Sequence, residues 1–159
     1  MTAIPAPFEA QLMVDPAWID PNGHMNVAFY MTAFDRGSDP FFDYVGLGWE
    51  YTKAGVGSIF ATGCNVDYHR ELLANDALRV TTRLLDCSEK LIHLHACVYH
   101  AGENAVAATQ EILFLHVSLT TRRSVPMPPE SYVRLQAVLA AHRELPLPAT
   151  LGRRLEIRR

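Results

Sequence analysis

The chain has 159 residues, is 49% hydrophobic and 19% charged, and carries a formal net charge of −3. That is enough for one domain with a real core, and it excludes a disordered chain, a basic nucleic-acid-binding field and a membrane-spanning apolar run. Cys64, Cys87 and Cys97 are odd in number and widely spaced, which fits neither a disulfide framework nor a zinc knuckle. The N-terminus has neither a basic n-region nor an apolar h-region, so a cytoplasmic protein is expected.

Taken in order, Phe8 to Val14 alternates apolar and polar residues as a half-buried strand does. Asp15-Pro16 and Asp20-Pro21-Asn22-Gly23 are turn chemistry. A helical period follows: Val27, Tyr30, Met31, Phe34, Phe41, Phe42 and Val45 recur at steps that place them on one buried face. Asn26 is a good N-cap, with Asn22 a weaker candidate. Pro40 should break this helix, with Ser38 or Asp39 capping a second short one and Gly46 or Gly48 ending it. The small residues Gly37 and Ser38 suggest close approach of another backbone. Gly46 to Gly57 reads as a loop holding Trp49 and Tyr51.

Four alternating segments follow, at Ser58 to Tyr68, Leu78 to Leu85, Leu91 to Tyr99 and Val106 to Leu119. Short polar turns between them predict an antiparallel meander. In the first, Phe60, Thr62, Cys64, Val66 and Tyr68 share a face. Pro126, Pro128 and Pro129 stop the sheet. Tyr132, Leu135, Val138, Leu139 and His142 then mark an amphipathic C-terminal helix, followed by an extended tail rich in basic residues. The prediction is one α+β domain over 1–159: a curved antiparallel sheet of about five strands around a long helix, its core over about 8–120, with a C-terminal helix and tail over 121–159.

The polar cluster before the first helix is the candidate site. Asp20 can serve as a base or nucleophile. Backbone amides near Gly23 and His24, at a helix start, suit a developing oxyanion, and glycine there admits a ligand close to the backbone. Asn22 and His24 can hold water or orient the carboxylate. Glu71, ending the first meander strand beside Tyr68, His69 and Arg70, is a second candidate carboxylate. Arg70 can meet a phosphate or pair with a neighbouring acid.

Asp20, Asn22, His24, Met25, Asn26 and Tyr30, opening a helix after one strand, resemble the 4-hydroxybenzoyl-CoA-type hotdog thioesterases. Tyr68-His69-Arg70-Glu71 resembles a segment of the plant acyl-carrier-protein thioesterases, with His69 in place of an arginine and a longer intervening stretch. A resemblance over most of the chain is to the thioesterases of carnitine breakdown, which occur alone or fused behind a carnitine dehydrogenase. It rests on Trp18 to Tyr30, Ala33 to Arg36, Leu78 to Thr82, Ala108 to Glu111, Leu115 to Val117, and the basic pairs Arg122-Arg123 and Arg153-Arg154.

That resemblance implies hydrolysis of betainyl-CoA to glycine betaine and CoA. No cofactor is implied, since CoA is part of the substrate. It also implies a homodimer, or a tetramer of dimers, with active sites at subunit interfaces. Asp20 would be the catalytic carboxylate, assisted by Asn22 and His24, with Glu71 a second acid. Gly23, Met25, Asn26, Tyr30, Trp18, Trp49, Tyr68 and Arg70 would line the substrate site.

A trimethylammonium group offers no hydrogen-bond donor, so aromatic faces and a carboxylate must hold it. Trp18, Phe29, Tyr30, Phe34, Trp49, Tyr51, Phe60 and Tyr68 are candidate faces, with the loop pair Trp49 and Tyr51 favoured over ordinary core rings. Asp35, Asp39 and Asp67 are candidate counter-charges. Rival readings are a metal site at His93 and His95, a Cys64 nucleophile, a hotdog enoyl-CoA hydratase and a non-catalytic acyl-CoA-binding protein.

Overall fold

A computed structural model describes residues 4–152. Five antiparallel strands, β1 (Phe8–Met13), β2 (Gly57–Tyr68), β3 (Ala77–Cys87), β4 (Leu91–His100) and β5 (Ala105–Ser118), form one sheet in the order β1-β3-β4-β5-β2. The helix α1 (Val27–Gly37) and the shorter α2 (Asp39–Val45) lie between β1 and β2 in sequence and pack against the sheet; α4 (Pro129–His142) closes the fold. This is the expected α+β hotdog arrangement.

The meander is shorter than predicted. It comprises β3, β4 and β5 alone, because β2 pairs with β5 at the far edge and not with β3. The connection over 69–76 therefore has to cross from one side of the sheet to the other. It is fastened to the start of α1 on the way: the Met25 amide donates to the Leu72 carbonyl at 2.7 Å, and the Tyr30 hydroxyl donates to the Arg70 carbonyl at 3.1 Å.

α1 buries Tyr30, Ala33, Phe34 and Gly37, the i, i+3, i+4, i+7 set of a single stripe. Val27 and Met31, expected in that stripe, lie on its flank and are exposed. The neighbour that requires a small residue at Gly37 is a side chain, not a backbone. A Cβ there would stand 2.3 Å from Cγ1 of Val80 on β3. Pro40 does end the first helix, and α2 begins beyond Ser38 with the proline in its first turn, where no amide is needed. Gly46, at φ 77°, ends α2 in the left-handed conformation that glycine favours.

Two other expectations are corrected. The stretch after Gly46 is not all loop: Trp49–Lys53 forms a one-turn helix, α3, with a Glu50–Lys53 ion pair on its surface. The alternation expected along β2 is interrupted by a register shift between Ala61 and Gly63, and Phe60, Cys64 and Tyr68 are exposed. The reason is position. β2 is an edge strand, and over 60–65 every residue is exposed, so neither of its faces is covered there.

At the other end, the guanidinium of Arg83 donates to the carbonyls of His142, Leu145 and Pro146, closing the C-terminus of α4. His142, fully buried, accepts from the Leu84 amide and donates to the Pro5 carbonyl. The basic tail beyond Gly152, including Arg153 and Arg154, lies outside the described residues.

Candidate active site

Residues 19–25 form a small closed turn. Ile19 bridges to Met25, the Asp20 amide donates to the His24 carbonyl at 3.1 Å, and the Gly23 amide donates back to the Asp20 carbonyl at 2.9 Å. Gly23 stands at φ 86°, with open space where a Cβ would be. Glycine serves the left-handed backbone of the turn here, rather than a close approach. Its amide is already engaged. Among the described residues, the amides of the segment left without an acceptor are those of His24 and Val27.

One asparagine couples the carboxylate to the helix. Asn26 is the N-cap of α1: its Oδ1 accepts from the Ala28 amide at 3.0 Å, while its Nδ2 donates to Oδ2 of Asp20 at 3.1 Å. Oδ1 of Asp20 accepts from the Asn22 amide at 2.8 Å. That backbone hydrogen bond, supported by Asn26 and by the His24 ring, holds the Asp20 carboxyl below its ordinary range against some loss of solvent. Asp20 is thus an ionised, half-exposed carboxylate beside the positive end of a helix.

The crossing connection brings the second carboxylate to this end of α1. Arg70 and Leu72 are tied to Tyr30 and Met25, so Glu71 is held between two anchors. The Tyr30 phenol is pushed up mainly by burial, then by Tyr68 and by Glu71, which places Glu71 within electrostatic reach. Tyr30 and Tyr68 meet edge to face at 5.1 Å. Arg70 pairs with Glu103 at 2.6 Å, across the turn between β4 and β5, and not with Glu71.

The other predicted site residues separate. Trp18 and Met25 are core side chains, 6% and 1% exposed; Trp18 stacks on Phe29 at 5.4 Å, with Arg36 over its ring. Trp49 is 56% exposed and lies beyond the C-terminal end of α1, where its indole N–H donates to Asp39 at 3.1 Å. Asp35, Asp39, Phe42 and Phe114 line the same recess. Phe114 was not singled out in the sequence, because its side chain reaches this recess only through the pairing of β5 with β2.

His93 pairs with Glu111 at 2.9 Å, and His95 meets the Thr150 hydroxyl at 3.0 Å. Among the described residues no three His, Cys, Asp or Glu side chains are grouped to hold a metal ion. No helix among them is long and apolar enough to cross a membrane.

A family model described as the Thioesterase-like superfamily matches residues 14–140. Betainyl-CoA thioesterase of Pseudomonas aeruginosa is 35% identical over 138 residues, covering 87% of each chain. An L-carnitine dehydrogenase/betainyl-CoA thioesterase of Rhizobium meliloti is 33% identical over 88% of this chain and 28% of its own length. A hypothetical protein of Staphylococcus aureus, solved in complex with CoA, superposes with a TM-score of 0.87 at 23% identity, covering 99% of both chains.

Proposed function

The chain belongs to the Thioesterase-like superfamily and is an acyl-CoA thioesterase, and from that premise we propose that its substrate is betainyl-CoA, cleaved to glycine betaine and CoA. The observation that carries the chemistry is the Asp20–Asn26 hydrogen bond, which sets an ionised carboxylate against the start of α1.

Asp20 attacks the thioester carbon, or removes a proton from the water that does. The carbonyl oxygen becomes an oxyanion facing the helix end, with the His24 and Val27 amides as donors. Collapse expels the CoA thiolate, a good leaving group. On the base route the water oxygen is already in the product carboxylate; on the nucleophile route water then hydrolyses the Asp20–acyl anhydride, releasing the product and restoring the Asp20 carboxylate. Asn22 and His24 steady the carboxylate and its water, and Glu71 is the second acid. Gly23, Asn26, Tyr30 and Tyr68 shape the wall of the site, with Met25 packed in the core behind it. Arg70, on the exposed rim, is placed for a CoA phosphate once released from Glu103. The named activity of the Pseudomonas and Rhizobium relatives supports the betainyl group, and the CoA complex of the Staphylococcus protein supports the carrier.

The assembly we propose is a homodimer, or a tetramer of dimers, working in the cytoplasm. The uncovered edge of β2, with exposed Phe60 and Tyr68 beside exposed Val27 and Met31 on α1, is the surface for the second copy. The test is thiol release from betainyl-CoA beside acetyl-, butyryl- and 4-hydroxybenzoyl-CoA. Preference for betainyl-CoA is expected. Turnover of neutral thioesters alone overturns the betainyl assignment, and no thiol from any of them overturns the hydrolase mechanism.

A further inference from the structure

The recess at the far end of α1 has a chemistry that the hydrolytic machinery does not use. Its wall combines the indole of Trp49 and the rings of Phe42 and Phe114 with the carboxylates of Asp35 and Asp39. Among the described residues no lysine or arginine lines it. The Trp49 N–H bond to Asp39 fixes the indole beside the carboxylate, yet more than half of Trp49 stays exposed. Burial, with Asp35 and Asp43 nearby, pushes the Asp39 carboxyl up against the opposing Trp49 hydrogen bond and the Arg36 charge; a further cation would relieve that site. The hydroxyls of Ser38, Thr52 and Ser58 also line the recess but are engaged with protein partners, and the aromatic faces with negative charge beside them suit a cation that cannot hydrogen-bond.

Position raises a difficulty and answers it. The 11 residues of α1 rise about 16 Å between the Asp20 end and the Asp35 end. In a betainyl thioester the quaternary nitrogen and the carbonyl carbon are separated by a single methylene. One chain's Asp20 and the same chain's recess cannot share that group. The recess continues, however, through Asp35, Ser38 and Phe114 into a second groove that reaches Met31 and Ala61, on the exposed flank of α1 and β2. A copy related by a two-fold axis perpendicular to α1 across that flank would run its α1 in the opposite direction, which sets its Asp20 end beside this chain's Asp35 end.

We propose that Trp49, Asp39 and Asp35 form the trimethylammonium subsite, and that the carboxylate serving it is Asp20 of a second copy. This rests on the betainyl-CoA reading and deepens it.

The test compares betainyl-CoA with 3,3-dimethylbutyryl-CoA, which has the same shape with carbon in place of nitrogen. In the wild type the ratio of kcat/KM favours the charged substrate. Asp39→Asn and Trp49→Leu should each lower that ratio about tenfold, and the double variant about a hundredfold. Variants that keep the wild-type ratio, or lose both substrates equally, overturn the subsite while the thioesterase reading stands. A wild type without preference overturns the betainyl reading and the subsite with it.

The second arm mixes Asp20→Asn subunits with Asp39→Asn/Trp49→Leu subunits by co-expression. Random pairing leaves one intact site in every mixed dimer, so about a quarter of the wild-type betainyl-CoA turnover should return. No recovery above the two parent variants places both elements in one chain's site and overturns the shared arrangement.

Discussion

Replacing Asp20 by asparagine exchanges one carboxylate oxygen for an NH2 group and leaves the shape of the side chain intact. The amide oxygen can still accept from the Asn22 backbone at the position of Oδ1. The new NH2, at the position of Oδ2, then faces the Nδ2 of Asn26, so two donors meet. Asn26 can turn its oxygen to the new donor only by withdrawing it from the Ala28 amide, which undoes the N-cap of α1. The structural cost is that of a lost cap or hydrogen bond, about 1 kcal/mol, and for a domain of 159 residues it lowers Tm by about 2–4 °C.

The catalytic cost is larger. Loss of a positioned base removes about 10²–10⁴ in rate. Asp20→Asn should therefore show at least a hundredfold lower kcat for betainyl-CoA by thiol release, while product inhibition by CoA is retained. The wild-type carboxyl lies below its ordinary range, so its active, ionised form persists on acidification. The rate limb attributable to Asp20 falls only as pH drops through that lowered value. One turnover in ¹⁸O-labelled water identifies direct attack when label appears in the Asp20 peptide, from water opening the anhydride at the Asp20 carboxyl carbon; label in glycine betaine alone places the attack of water on the acyl carbon, of the thioester or of the anhydride. An Asp20→Asn protein that folds and retains activity within tenfold of wild type would refute the reasoning.

Gly37→Ala should cost up to about 2 kcal/mol net in urea unfolding, since overpacking of its Cβ against fully buried Val80, about 1–3 kcal/mol, outweighs the gain of about 1 kcal/mol in helix propensity. Val80→Ala should offset part of this in a double-mutant cycle, and additive effects would exclude the clash. Burial lowers the His95 pKa from 6.5 to about 4. The neutral ring is thus favoured in the fold, and the stability it contributes is present above pH 6.5 and lost as pH falls towards 4. The loss is about 2 kcal/mol after allowance for solvent in its pocket, and it should shrink in His95→Gln when both proteins are unfolded in urea across that range. Tyr30→Phe removes the bond to the Arg70 carbonyl; about 1 kcal/mol of stability should go, with a several-fold fall in kcat if that bond positions Glu71. An unchanged kcat would exclude a positioning role for that bond, and Glu71→Gln at wild-type rate would separate Glu71 from the reaction.

Much of the local structure was legible because local rules govern it. Turn residues at 20–23, the Asn26 cap, the Pro40 break and the alternation of β3, β4 and β5 are each decided by neighbours a few residues away. So was the identity of Asp20 as the candidate carboxylate, since the residues that lower its pKa lie within six positions of it.

Tertiary structure decided what depends on which surfaces meet. Nothing in the alternation of β2 says that it pairs with β5 at the far edge, and that pairing is what exposes Phe60, Cys64 and Tyr68 and forces residues 69–76 past the start of α1. Periodicity offered Val27 and Met31 equally with Tyr30 and Phe34 as core, because a helix stripe has no sharp border until a sheet is laid against it. The candidate rings parted for the same reason: Trp18 went into the core, and of the favoured pair Tyr51 packs against the core with its hydroxyl on His116, while Trp49 stayed in the open beside Asp39. Side-chain period and capping are properties of a segment, and the sequence by itself determined them. Strand order, burial and the company of a charge are properties of the whole chain, settled only when hydrophobic surfaces compete for the same cover.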